Sequence, residues 1–315
     1  MQRIFEYTIS KEYEGCTIFD YLLNIGYSRS IITHIKKTDM GISINNEWMY
    51  MNHKLSENEV LKVILEENSS SEHIEPVKHE FEIIFEDEDI IVINKPANMP
   101  IHPSINNYDN SLANALAYYY QSQNENFVFR CINRLDKDTS GLTIIAKNML
   151  SATILYDMVK TRKIKREYLA IVSGKIDSAG TIDAPIARKC DSVIERCVDF
   201  EKGQTAITNF SPVISGKDYS LIKLSLKTGR THQIRVHMKY IGHPLPGDFL
   251  YNPDYSLIKR QALHSYRLQF MHPITKEDLD FICPLPNDMK TIVDNYLTLS
   301  GKPTFFWTFL RVFIA

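Results

Sequence analysis

The stretch NRLDKDTSGLTIIA, Asn133 to Ala146, sets an acidic turn directly before an apolar run. Asp136 stands just ahead of Asp-Thr-Ser-Gly, residue types that bond their own backbone in turns, and LTIIA reads as a buried strand. A loop at a strand end can present a carboxylate to a pocket, here with Arg134 two residues earlier. Taken alone, an Asp near Gly is better explained as a turn residue satisfied by its own backbone. Its reading therefore depends on what accompanies it.

Two other stretches supply that company. In LKTGRTHQIRVHMKYIGHPLPGD (226–248), Arg230, His232, Arg235, His237 and Lys239 fall within ten positions, mixed with apolar residues. Arg230 follows Thr-Gly on a turn, where its guanidinium could pair with Asp136 or with a phosphate. The alternative is an ordinary solvated helix face. His232 and His237 are five apart, the wrong spacing for a zinc helix, and no Cys is near, so no metal site is expected. In KTRKIKREYLA (160–170), Lys160, Arg162, Lys163, Lys165 and Arg166 form a dense cation cluster ending at Tyr168. Cations beside an aromatic suit phosphate contacts with base stacking, although a solvated charge run looks the same.

Working outward, the first 65 residues form one small unit. TIFDYLLNIG (17–26) and SRSIITHIKK (28–37) have apolar residues at helical spacing, with Thr17 and Ser28 or Ser30 as caps. ISINNEW (42–48) alternates around Asn45-Asn46, a hairpin signal, and VLKVIL (60–65) closes with a strand. Residues 66–80 carry three serines in a row, Pro76 and several Glu, and read as a solvated tether. A second unit follows over 81–297. It has two strands around an acidic turn (82–96), helices at 111–120 and 149–164, and alternating strands near 168, 206 and 219. Strands dominate without a strict βαβ rhythm, which argues for an α+β fold with a mixed, largely antiparallel sheet.

The 315 residues, at ~150 per domain, agree with two units. With 44% hydrophobic and 23% charged residues the chain has the composition of a globular protein, which excludes a fibrous or disordered one. Net charge is −2, so any polyanion partner must be held by local clusters such as 160–166 rather than by overall charge. The amino terminus carries Glu6, Glu12 and Glu14 and no apolar core of a signal peptide. No run approaches the ~18 to 20 apolar residues of a membrane helix. The nearest, FFWTFLRVFIA (305–315), belongs to a tail over 298–315 of unassigned role and is interrupted by Arg311. Five cysteines, odd in number and without a CxxC pair, fit a reducing cytoplasm.

These blocks together resemble the RluA/RluD-type pseudouridine synthases. NRLDKDTSGLTIIAKN is similar to that family's RLDxxTSGLL signature. VINKPANMPIHPS (92–104), KREYLAIVSG (165–174), LKTGRTHQIRVH (226–237), GHPLPGD (242–248) and RQALHSYRLQFMHP (260–273) follow in family order. Residues 1–65 resemble the S-four RNA-binding domain that often precedes this catalytic domain in enzymes acting on large-subunit ribosomal RNA.

The resemblance implies isomerisation of uridine to pseudouridine in RNA by base flipping, with no cofactor and no metal. It makes Asp136 the nucleophile or base, Tyr168 the ring that stacks on the uracil, and Arg230 the cation paired with the catalytic carboxylate. Arg134 would fill the space left by the extruded base. Lys160, Arg162, Lys163, Lys165, Arg166, His232 and Arg235 are further expected to touch the RNA. Asn133 departs from the His usual at its position, which leaves that residue's role open. RNA is the expected partner, ribosomal ahead of transfer RNA, and the chain is taken as a monomer. Competing readings are a non-catalytic RNA-binding protein and a carboxylate glycosidase using Asp138 beside Asp136.

Overall fold

The computed structural model describes residues 2–297, so the tail expected at 298–315 lies outside the described residues. Chain order begins with β1 (Gln2–Thr8), a short 3-10 turn at Lys11–Tyr13, α1 (Ile18–Asn24), α2 (Arg29–Ile35), β2 (Ile42–Ile44), β3 (Glu47–Trp48) and β4 (Val60–Glu66). The hydroxyls of Thr17 and Ser28 accept from the N–H groups of Asp20 and Ile31, capping the two helices. Asn45 and Asn46 both have positive φ, the conformation a two-residue hairpin demands. The four strands run in the order β1-β4-β2-β3, and Phe5, Ile18, Leu22, Ile31, Ile35 and Val63 fill the space between sheet and helices.

The segment 66–80 differs from the expected solvated tether. It has no helix and only Glu66 in a strand, yet it is strapped to the second unit by its polar side chains. Buried Glu67 pairs with Arg130. The hydroxyls of Ser70 and Ser71 accept from the backbone of Phe127 and Phe129. The buried side chain of Asn114 donates to the Glu75 carbonyl, and Val77 N–H donates to the Asn114 carbonyl. Serine and carboxylate groups here satisfy backbone and buried polar groups, a use that low hydropathy cannot reveal.

The two units are also joined directly. Arg3 grips Asp89 through Nε and Nη2 at 3.1 and 3.0 Å, and Leu150 sits inside the first unit's apolar core with Met149 and Ile154 packed beside it. A fragment starting at residue 81 is therefore expected to melt well below one starting at residue 67, since it loses the strap as well as the first unit. At ~1 kcal/mol per hydrogen bond and ~2–4 °C per kcal/mol, the difference should exceed about 5 °C in a thermal scan. Equal melting temperatures would show the strap to be idle.

The second unit comprises β5 (Glu82–Glu86), β6 (Ile90–Lys95), α3 (Leu112–Gln121), β7 (Ser140–Ala146), α4 (Met149–Lys160), β8 (Lys165–Ser173), β9 (Gly180–Asp183), β10 (Ile186–Arg188), β11 (Arg196–Val198), β12 (Ile207–Ser215), β13 (Tyr219–Leu226), α5 (Gln233–Tyr240), β14 (Leu263–Met271), β15 (Asp278–Ile282) and α6 (Asn287–Ile292), which runs into a wide turn at Val293–Leu297. Nine strands form one sheet in the order β5-β6-β7-β14-β8-β13-β12-β9, with β15 alongside β14, while β10 and β11 form a separate hairpin. Among the described residues, every strand pairing is antiparallel except β7 with β14. This is the mixed, largely antiparallel α+β architecture expected.

All seven residues of β7 are buried because both sheet faces are covered. Leu112 and Leu116 of α3 pack on Ile91 and Ile93, while Leu155 and Met158 of α4 pack on Val92 and Ile144. The site follows from the strand order. The Asp136 loop enters β7, β14 lies next, and Tyr168 of β8 is the direct cross-strand partner of Ser265 in β14. Among the described residues, no helix is long and apolar enough to cross a membrane.

Candidate active site

Asp136 sits on an irregular loop that the surrounding residues pin from several sides. Asn133 is buried: its side chain donates to the Leu142 carbonyl and accepts from Ile144 N–H, while its own carbonyl accepts from the Thr143 hydroxyl. Asn133, the residue that departs from the usual His, thus acts as a staple between loop and β7. Lys95, fully buried, donates to the carbonyls of Pro96, Met99 and Lys137 at 2.7, 2.8 and 3.0 Å. Burial pulls its pKa down to about 7, and the nearby charges of Asp138 and Asp136 only partly oppose that. Arg260 donates to the Asp138 carbonyl, and Gln261 to the Thr139 hydroxyl. Gly141 has φ +106°, and a Cβ there would lie 2.2 Å from the Ser265 carbonyl oxygen, so β7 and β14 can close only on a glycine.

The loop lines a cleft of about 620 Å³ together with Arg134, Lys160, Arg162, Arg166, Tyr168, Arg230, His232 and Arg235. At its floor, Arg235 Nη1 donates to Asp136 Oδ2 at 2.9 Å. The same guanidinium grips Asp248 through Nε and Nη2, both at 2.7 Å, and both side chains are almost wholly buried. Burial disfavours the Arg235 charge, but the bonds to Asp248 and the charges of Asp136 and Asp248 outweigh it, so its pKa is raised. Asp248 is completed by the N–H groups of Leu250 and Tyr251.

This corrects the assignment of Arg230. Its side chain is exposed at the cleft mouth and its Nε donates to the Thr205 carbonyl at 3.0 Å, so Arg235, not Arg230, is the cation on Asp136. The reason lies in α5. Gln233 accepts from Arg230 N–H and the Thr228 hydroxyl and donates to the Ile207 carbonyl and Thr208 hydroxyl, which locks the turn outward. Five residues after Arg230, Arg235 lies within α5, whose first six residues are all buried, on the side opposite Gln233, and it reaches Asp136 and Asp248. His237 also faces inward, held between Thr208 and the Ala184 carbonyl and away from the cleft.

Tyr168 lines the cleft beside Leu135, its ring almost fully buried. Its pKa is raised, chiefly by burial, with Arg166 pulling the other way, so the hydroxyl holds its proton at neutral pH. Of the basic run, Lys160, Arg162 and Arg166 line the cleft; Lys163 and Lys165 are exposed and do not. His232 caps α5 in a left-handed conformation, φ 58°, with Nε2 4.0 Å from Asp136 Oδ2 and Nδ1 3.0 Å from the Tyr251 hydroxyl. Sequence reasoning misses Lys95, Asp248 and Tyr251. Their signal there is modest: a lone Lys, Asp or Tyr carries no periodicity.

A carboxylate fixed by a buried arginine, an aromatic wall and a cationic rim together suit chemistry on a base drawn out of a polyanion. Among the described residues, the one group of three side chains spaced for a metal ion is Asp87, Asp89 and His272, which lies outside the cleft. Comparison with known proteins bears on the chemistry directly. Residues 89–240 match the family model for RNA pseudouridylate synthase. The chain is 40% identical over 280 residues to the uncharacterized RNA pseudouridine synthase YjbO of Bacillus subtilis (strain 168), covering 88% of this chain and 98% of the relative. It is 38% identical over 298 residues to the ribosomal large subunit pseudouridine synthase D of Blochmanniella floridana, covering 87% and 92%. Among solved structures, human RNA pseudouridylate synthase domain containing 1 superposes with a TM-score of 0.59 at 27% identity, covering 75% of this chain and 97% of that one. On these matches, the chain belongs to the RNA pseudouridine synthase family, enzymes that isomerise uridine to pseudouridine in RNA.

Proposed function

We propose that the substrate is large-subunit ribosomal RNA and that Asp136 carries the chemistry on a uridine flipped into the cleft. The observation that carries the reading is the Asp136–Arg235 pair at the base of a cleft rimmed by Lys160, Arg162, Arg166 and Arg230. The relative named ribosomal large subunit pseudouridine synthase D supports the choice of RNA. The bond from C1′ to N1 breaks, the uracil turns, C1′ joins C5, and the C5 proton is replaced by one at N1. No atom is gained or lost. Asp136 either attacks C1′ or removes a ribose proton, and Arg235 fixes its orientation in both cases.

Extruding the base costs a few kcal/mol of stacking. The Tyr168 ring recovers ~1–3 kcal/mol, and in this reading Arg134, exposed on the cleft lining, fills the vacated stack. Residues 1–65 act as the S-four-like RNA-binding domain, with Arg29, Lys36 and Lys37 exposed along and just beyond α2. The enzyme works as a monomer in the cytoplasm, an environment that suits its five free cysteines. Incubation with large-subunit ribosomal RNA and, separately, bulk transfer RNA tests the substrate. Pseudouridine in the ribosomal RNA is expected, and its formation only in transfer RNA would overturn the choice.

The rim makes its own prediction. Each phosphate contact contributes ~0.7 to the slope of log affinity against log salt for single-stranded RNA, so Lys160→Gln with Arg162→Gln should flatten it by about 1.4. Lys163→Gln with Lys165→Gln should flatten it less, because those side chains do not line the cleft. An unchanged slope in the first pair would leave the run as a solvated helix end.

A further inference from the structure

His232 lines the cleft close to Asp136, and its side chain is only 13% exposed. Its Nδ1 lies 3.0 Å from the Tyr251 hydroxyl, and that hydroxyl also receives the N–H of Arg196 at 2.9 Å, from the first residue of β11. Tyr251 is buried. If Nδ1 carried the proton, the hydroxyl oxygen would accept twice and its own proton would have no acceptor among the described residues. A buried donor left so is costly. The arrangement that satisfies every group has Arg196 N–H donating to the Tyr251 oxygen and the Tyr251 O–H donating to Nδ1. The proton of a neutral His232 then sits on Nε2. The residue lines the cleft, and the nearest carboxylate oxygen to Nε2, Asp136 Oδ2, is too far at 4.0 Å for a hydrogen bond.

We propose that Tyr251 fixes His232 as a neutral donor whose Nε2–H positions the target nucleotide, through one of its uracil or ribose oxygens, against Asp136. This rests on the reading of the cleft as the uridine site. The charged groups facing the imidazole are Asp136, Asp248, Arg235 and Arg196, two of each sign, and burial lowers its pKa beyond their net effect. A neutral donor holds an uncharged base without competing with Arg235 for Asp136. His232 is thereby a binding group and Tyr251 a positioning residue acting through it.

Nitrogen-15 NMR of the full chain labelled at histidine, without RNA, reads the tautomer directly. The expected signature for His232 at pH 7.5 is an unprotonated Nδ1 and a protonated Nε2, shifting to a mixture in Tyr251→Phe. Loss of one such bond should lower kcat of Tyr251→Phe about tenfold, with KM and RNA affinity within about twofold of wild type. His232→Gln, whose amide nitrogen reaches nearly as far as Nε2, should retain more turnover than His232→Ala. A protonated Nδ1 or an imidazolium in the wild type overturns the proposal. So does an unchanged tautomer in Tyr251→Phe, or a normal kcat once the tautomer is lost. The NMR result is independent of the Asp136 assignment, so failure of one is distinguishable from failure of the other.

Discussion

Asp136→Asn is expected to lower turnover by about 10⁴-fold, the scale on which removal of a reacting side chain is felt, while RNA affinity stays within a few-fold. The substitution keeps the shape of the side chain. Its amide oxygen can still accept from Arg235 Nη1, now 2.9 Å from Oδ2, and the loop keeps its staples at Asn133, Lys95 and Arg260. What is lost is the negative charge and the electron pair that attack C1′ or take a ribose proton. Single-turnover isomerisation of a ribosomal RNA transcript measures the effect, with mass spectrometry of the protein to exclude deamidation back to Asp. Turnover near the wild-type level by a folded Asp136→Asn protein would remove the residue from the chemistry.

The second large effect separates two arginines that the sequence offers five residues apart. Arg235→Ala leaves Asp248 buried and without its cation, a defect of ~3–5 kcal/mol, and it frees Asp136 as well. A strong drop in denaturant midpoint is expected along with loss of activity. Arg235→Lys restores the charge but not the fork, so it cannot serve both carboxylates in the same geometry. Arg230→Ala removes one exposed bond to the Thr205 carbonyl, and its stability should fall by no more than ~1 kcal/mol. Equal stability losses in the two alanine variants would count against Arg235 as the buried partner.

The contrast between these arginines also shows where sequence reading reaches its limit. Asp136 and Tyr168 are legible through the family-like blocks that contain them, and the basic run through its charge density, which is a local property. The helices at 18–24 and 29–35 are legible through their caps, and the hairpin through Asn45-Asn46. The identity of the cation on Asp136 depends on where α5 begins and how it is rotated, and Gln233 sets both by binding strand β12. The strap at 66–80 looks like a tether for a related reason. Its serines and Glu67 bond to partners some sixty residues away in the chain, and composition carries no record of such partners. Strand β1 escapes notice because apolar Ile4 lies on its exposed face and its inner face buries only Phe5, between Arg3 and Tyr7.

Whether this cleft, through Asp136, converts uridine to pseudouridine in large-subunit ribosomal RNA is decided by a map of pseudouridine in that RNA. The map is taken from cells lacking the protein, restored either with the wild-type chain or with Asp136→Asn. At least one position should lose pseudouridine in the deletion, regain it with the wild-type chain, and stay uridine with Asp136→Asn. Restoration of that position by the Asn variant, or a ribosomal RNA map unchanged by the deletion, would refute the assignment.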